Sequence, residues 1–272
     1  MWKLLITVFI GVCLFITPVK AEQLNVNTLT ETQIQQGEEI FRLAITATEK
    51  GDFITAENYW NELIEQFPTN PALWSNRGNA KVSQYKLTEA INDYNQSIEL
   101  APNAPDPYLN RGVAYEALGK YPEAIADYKK VLELNPEDAM AYNNIGNAYA
   151  GLQDWTKANE YYHQASQIAP DFALARANES LALYELGKKD QALTQMKNLV
   201  RKYPMFPDMR AALTAILWEK GDQGEAESNW VATVGIDSRY KDLQWLKDVR
   251  RWPPSMIMAL EKFLNLENNH ST

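Results

Sequence analysis

The chain has 272 residues, 46% hydrophobic and 22% charged, with 12 Gly and 13 Pro, which excludes a disordered, collagen-like or low-complexity protein. With 35 acidic against 26 basic side chains the net charge is −9, the opposite of the basic footprint of a nucleic-acid binder. One cysteine, Cys13, and two histidines form neither an internal disulfide nor a zinc site, and no metal or cofactor is implied.

Residues 1–21 predict an export signal. Lys3 gives a positive start, and Leu4 to Ile16 is an apolar run, short for a membrane span. Val19-Lys20-Ala21 then places small residues at the −3 and −1 positions of a cleavage site before Glu22. The alternative is an uncleaved N-terminal anchor, the chain's one expected membrane contact. Lipid attachment at Cys13 is disfavoured, because Val12 stands where that processing needs a small residue. Cleavage removes two lysines, no acid and the sole cysteine, so the net charge moves from −9 to −11. A thiol-free chain suits an oxidising compartment outside the cytoplasm. Residues 22–36 are polar and read as a loose linker.

A period of 34 residues organises the chain from residue 37 to residue 238. Pro68, Pro102, Pro136, Pro170 and Pro204 keep that interval, as do Ala56, Ala90, Ala124, Ala158, Ala192 and Ala226. Four residues after each alanine stands a large side chain: Trp60, Tyr94, Tyr128, Tyr162, Met196 and Trp230. Small residues recur at Ala44, Gly78, Gly112, Gly146, Ser180 and Thr214. Small residues let two helices approach closely while aromatics fill the gaps beside them, and proline ends a helix. First helices are predicted at 38–50, 72–84, 106–118, 140–152, 174–186 and 208–220. Second helices are predicted at 53–66, 87–100, 121–134, 155–168, 189–202 and 223–234. Gly51, Gly119, Gly187 and Gly221 fall at the turns within pairs, and no strand pattern occurs, so the fold class is all-α.

The order Tyr108, Gly112, Tyr115, Ala124, Tyr128, Pro136, repeated at Tyr142, Gly146, Tyr149, Ala158, Tyr162, Pro170, resembles the tetratricopeptide repeat (TPR). The resemblance implies a right-handed superhelical solenoid of about six helix-turn-helix units over 37–238 with a C-terminal helical cap. The units are expected at about 37–70, 71–104, 105–138, 139–172, 173–206 and 207–238. Departures at Ile40, Lys81, Arg210 and Ser238 fall in the first, second and last units; terminal units of a solenoid have one face without a neighbour.

The resemblance also implies that the first helices line a groove. Asn76, Asn110, Asn144 and Asn178 share one phase there, with Asn79, Asn143 and Asn147 nearby. Asparagine inside a helix costs about 0.5–0.7 kcal/mol against alanine, so its recurrence implies a compensating role. One reading is a ladder of carboxamides that grips the N–H and C=O groups of an extended peptide, similar to the asparagine ladder of O-GlcNAc transferases. The other is that Asn beside Gly merely tolerates tight helix contact. Phe41, Tyr184 and Trp218 are candidate apolar anchors on the same wall, or core. Ser75, Leu109, Asn143 and Ala177 stand where a basic clamp for C-terminal carboxylates would need lysine, so that ligand is not expected.

The period stops after residue 236. Residues 239–266 predict a helical extension, with apolar residues at 240, 243, 246 and 249, a break at Pro253-Pro254, and a second amphipathic helix from Ser255. Either this pair caps the last unit, or Trp245, Arg250, Arg251 and Trp252 form a docking patch for another protein. The tail also resembles the ends of exported repeat proteins of the thylakoid lumen in cyanobacteria and plastids.

His163 and His270 have no partner that spacing places at hydrogen-bond distance, and no phosphate loop, metalloprotease helix or nucleophile elbow occurs. No catalytic residue is assigned. The expectation is an exported, non-catalytic scaffold for a protein or extended peptide, in the thylakoid lumen or a periplasm. The resemblance implies assembly or maintenance of photosynthetic membrane complexes. The alternatives are a periplasmic adaptor for cell-envelope machinery and, from another class, an enzyme with an unrecognised site.

Overall fold

A computed structural model describes residues 31–270, with side chains as far as residue 265. The export signal expected at 1–21, with Cys13, lies outside the described residues, as do 22–30 of the linker and the side chain of His270. The chain divides into two compact units, 1–39 and 40–272. In the first, Glu31 to Glu39 is the beginning of α1 (Glu31–Glu49), where a loose linker is predicted as far as residue 36. Glu, Gln and Ile are adequate helix formers, and Glu31 in the first turn complements the helix dipole; polarity alone does not make a segment loose.

The second unit is a succession of helical hairpins. After α1 come α2 (Phe53–Gln66), α3 (Pro71–Ser83), α4 (Leu87–Leu100), α5 (Pro105–Ala117) and α6 (Tyr121–Leu134). Next are α7 (Ala139–Gly151), α8 (Trp155–Ile168), α9 (Ala173–Glu185), α10 (Lys189–Lys202), α11 (Pro207–Glu219) and α12 (Gln223–Ile236). A 3₁₀ turn (Ser238–Lys241), α13 (Leu243–Asp248) and α14 (Pro254–His270) complete the described chain, in which no strand occurs. Odd-numbered helices up to α11 are the first of each pair, and even-numbered ones up to α12 the second. From α2 to α12 each helix packs on its sequence neighbours, and the first helices α3, α5 and α7 also touch in turn, as α9 touches α11.

The pairing follows from three recurrent contacts. Ala56, Ala90, Ala124, Ala158, Ala192 and Ala226 have no exposed surface, so the helices meet at their smallest side chains. Across that contact a Cβ added to Gly78, Gly112 or Gly146 would come within 2.6, 2.5 and 2.5 Å of the rings of Tyr94, Tyr128 and Tyr162. Only glycine admits those rings. Where Ser180 and Thr214 take the small position, their hydroxyls bond back to Arg176 and Arg210 carbonyls at 2.7 and 3.1 Å.

The first helices begin one residue earlier than predicted from 71 onward. Pro71, Pro105 and Pro207 occupy the first turn, where a missing N–H leaves nothing unpaired. Each pair is joined through one residue in the left-handed region: Gly51, Tyr85, Gly119, Gln153, Gly187 and Gly221, with φ from 61 to 83°. The N–H that follows returns to the carbonyl five residues back, as from Asp52 to Ala47 at 2.9 Å, closing the helix end. Asp52, Asp154 and Asp222 then cap the second helix by accepting from the third backbone N–H.

Neighbouring units are also tied by buried charge. Arg77 donates twice to Asp93 of its own unit, at 2.9 and 2.6 Å, and once to Asn61 of the preceding unit at 2.8 Å. Arg111, Asp127 and Asn95 repeat this one period later. At the equivalent place in the fifth unit the polarity is inverted: Glu179 meets Gln195 at 3.4 Å and His163 of the fourth unit at 2.9 Å. His163 therefore has the partner that sequence spacing did not disclose.

The left-handed joints make a stability prediction. Gly119→Ala is expected to lower stability by about 1 kcal/mol, and Gln153→Gly to raise it by up to about 1 kcal/mol. Urea unfolding midpoints at constant m-value would show both signs.

Candidate partner-binding face

The first helices α3, α5, α7, α9 and α11 share a face, and the seven predicted asparagines fall on it in two groups. Asn76 and Asn110 are half-buried, and among the described residues their carboxamides have no hydrogen-bond partner. Asn79 is exposed but its oxygen accepts from the Tyr94 hydroxyl at 2.8 Å. The other four bond to each other or to tyrosine. Asn178 donates to Asn143 and Asn147 at 3.0 and 3.3 Å, linking α9 to α7. Asn143, which is buried, donates to Asn144 at 3.3 Å, and Asn147 accepts from Tyr162 at 2.9 Å. Part of the asparagine column thus fastens the fourth unit to the fifth.

From the fifth unit onward the face is not open. The segment after α12 turns back and lays α14 against α11 and α9, both first helices. Phe263 has no exposed surface and meets Trp218 and Trp230 edge-on, with centroids 5.2 and 5.6 Å away. Met256 and Leu260 are fully buried in the same cluster as Leu181, Ala211 and Ala215. Trp218 and Tyr184, two of the predicted anchors, are covered here, and the Tyr184 hydroxyl donates to Glu219 at 2.6 Å. The third, Phe41, packs edge-on to Trp60 at 5.4 Å.

Polar contacts hold the connection between α13 and α14. Arg250 grips both oxygens of Asp208, to which Trp252 Nε1 also donates at 3.2 Å. The backbone N–H of Ser255 donates to Glu185 at 3.0 Å. Arg251, in a left-handed conformation with φ 52°, reaches farther and pairs with Glu116 on α5, three units into the chain. Burial pushes the Glu116 carboxyl above its usual range, opposed by the Arg251 charge and the Tyr128 hydroxyl bonded at 3.1 Å. Of the four proposed docking residues, Arg250 and Trp252 are spent on this internal contact and Arg251 is paired. Trp245 is half-buried against Tyr240 at 5.3 Å, beneath Arg239. The extension does more than close the last unit, for it covers the first-helix face of two units and touches a third.

Models of the tetratricopeptide repeat match residues 105–138, 139–172 and 178–234, and a TPR repeat model matches 78–119. The chain belongs to the tetratricopeptide repeat family. Among solved structures, a TPR protein from Parabacteroides merdae superposes with TM-score 0.62 at 21% identity, covering 84% of this chain and 98% of that one. YrrB, described as a TPR protein with an unusual peptide-binding site, gives TM-score 0.53 at 20% identity over 75% of this chain and 97% of its own. The MamA protein gives 0.54 at 23% identity over 62% and 92%. No curated protein sequence matches the chain.

Within the TPR frame, the residues that sequence reading missed are the carboxylates Glu116, Glu185 and Asp208, which receive the tail. A signal for the covering was present. In α11 every residue from Met209 to Leu217 except Arg210 is buried, and in α9 all of Glu179 to Tyr184. Residues 211–218 carry apolar side chains on every side of the helix except at Thr214, the pattern of a helix that is covered all round. Elsewhere, an open cleft of about 670 Å³ lies among Asn159, His163, Glu179, Lys188 and Gln195, beside the second helices. Among the described residues no group of three or more His, Cys, Asp or Glu could hold a metal ion.

Because Trp252 is 4% exposed within a shared core, Trp252→Ala is expected to lower stability by about 3–5 kcal/mol. An exposed docking tryptophan would change it by less than about 0.5 kcal/mol, and chemical denaturation separates the two.

Proposed function

We propose that this TPR protein is a non-catalytic scaffold that holds an extended protein segment on the first-helix face of its second to fourth units. The observation that carries the reading is the contrast along that face. The last two units are filled by the chain's own tail, while Asn76 and Asn110 keep carboxamides unpartnered among the described residues, and Val113 on α5 and Met140 on α7 are exposed. A carboxamide supplies an acceptor and two donors, enough for both backbone groups of an extended peptide. Stacked first helices recur at roughly 10 Å, close to three residues of extended chain at about 3.3 Å each. Asn79 and Asn144 flank the pair and retain donors; Asn143, Asn147 and Asn178 shape the wall they stand on. Peptide binding described for YrrB supports the same use of a related fold.

The setting we propose is export, on the strength of the N-terminal signal pattern, to the thylakoid lumen, with a role in assembling or maintaining photosynthetic membrane complexes. Service as a periplasmic adaptor is the second reading, since the same signal pattern serves either destination.

Asn76→Ala with Asn110→Ala should abolish crosslinked capture of the native partner while leaving the fold intact. Alanine is the better helix former, so stability should hold or rise by about 1 kcal/mol. Capture lost only together with helicity would remove the proposed role. N-terminal sequencing of the exported protein should begin near Glu22, whereas retention of Met1 would indicate an anchor.

A further inference from the structure

The Arg251–Glu116 pair is the only described hydrogen-bonded contact between the tail and the third unit, and its environment is built by a departure from the repeat. In the second and fourth units the phenols of Tyr94 and Tyr162 are taken by Asn79 and Asn147. The third unit has Val113 at that place, and Tyr128 turns instead to Glu116. A carboxylate is thereby stationed on the partner-binding face, only 11% exposed, with Arg251 as its counter-charge. Arg251 itself is 46% exposed and adopts a backbone conformation that side-chain-bearing residues rarely take.

These features make Arg251 the replaceable part of the tail. Trp252 and Arg250 anchor the connection in the core of the sixth unit, whereas Arg251 reaches outward from it to α5. A segment lying across the second to fourth units must pass Glu116. If it dislodged Arg251 without bringing a cation, a largely buried carboxylate would be left unpaired, which is strongly unfavourable. A guanidinium restores both the charge and the directed hydrogen bonds.

We propose, building on the groove reading above, that Glu116 is a cation-recognition point and that the partner segment carries an arginine which replaces Arg251 there. The flanking partner residues are apolar and rest on Val113 and Met140, with the backbone held at Asn76 and Asn110. The tail is thus a built-in competitor that sets a chemical requirement on what may dock.

The probe is a capped, fluorescent peptide with the chain's own Lys247–Ser255 sequence, tested on the full exported chain by anisotropy. Arg251→Ala should bind it at least tenfold more tightly than the unaltered protein, because the internal competitor is gone. Replacing both probe arginines by citrulline, or adding Glu116→Gln to the protein, should erase that gain. Equal binding by Arg251→Ala and the unaltered protein, or undiminished binding of the citrulline probe, would overturn the proposal. If Arg251→Ala loses cooperative melting, Arg251→Gln, which keeps the aliphatic stem, takes its place. Loss of capture in the Asn76/Asn110 variant together with no gain in Arg251→Ala would leave the groove reading standing and remove only the role of Glu116.

Discussion

In the middle units the two helices of a pair meet where a glycine backbone lies directly against a tyrosine ring. At Gly78, Gly112 and Gly146 there is no room for a methyl group, because Tyr94, Tyr128 and Tyr162 lie where it would be. That contact sets the separation of the two helices in a unit and buries an aromatic at full depth. It also aims the phenol through the first helix toward the face beyond. The side-chain chemistry of that face is therefore coupled to the core: each hydroxyl emerging there must be answered, by Asn79, Glu116 or Asn147. Packing and the polar chemistry of that face share the same atoms.

The last third of the chain solves a different problem. Its first helices are too apolar to face water, and the returning α14 supplies the missing layer through Met256, Leu260 and Phe263. Arg250, Trp252 and Asp208 lock this layer with hydrogen bonds formed inside it. The face is thus divided between a polar, asparagine-bearing stretch and a stretch that the protein completes by itself. Only the first has groups left to offer.

Much of this could be read in the residues. The 34-residue period located every second-helix start, and the glycines at four joints marked the left-handed turns. Tyr85 and Gln153 fill the same joint without being glycine, so residue type concealed two of six. The Arg77–Asp93–Asn61 clamp and its copy at Arg111 were also periodic, yet an arginine column reads as solvated surface unless its acid and amide partners are placed in space. The path of the tail was hardest to see. Its helical pattern fixes which residues are apolar but carries no information about which earlier helices receive them, and Arg251 meets Glu116 across 135 positions. The apolar run of α11 after Arg210 announced that something covers it without naming what.

That long-range closure has a consequence for biosynthesis. A repeat array made from its N-terminus can fold hairpin by hairpin as the chain emerges, because each unit packs mainly on its predecessor. Here the fifth and sixth units cannot finish that way. Until α14 has been translated, Leu181, Ala211, Ala215 and Trp218 lack their cover, so these units are completed only when α14 arrives. A premature stop between α12 and α14 would release a protein whose early hairpins are sound and whose last two expose an apolar strip to aggregation.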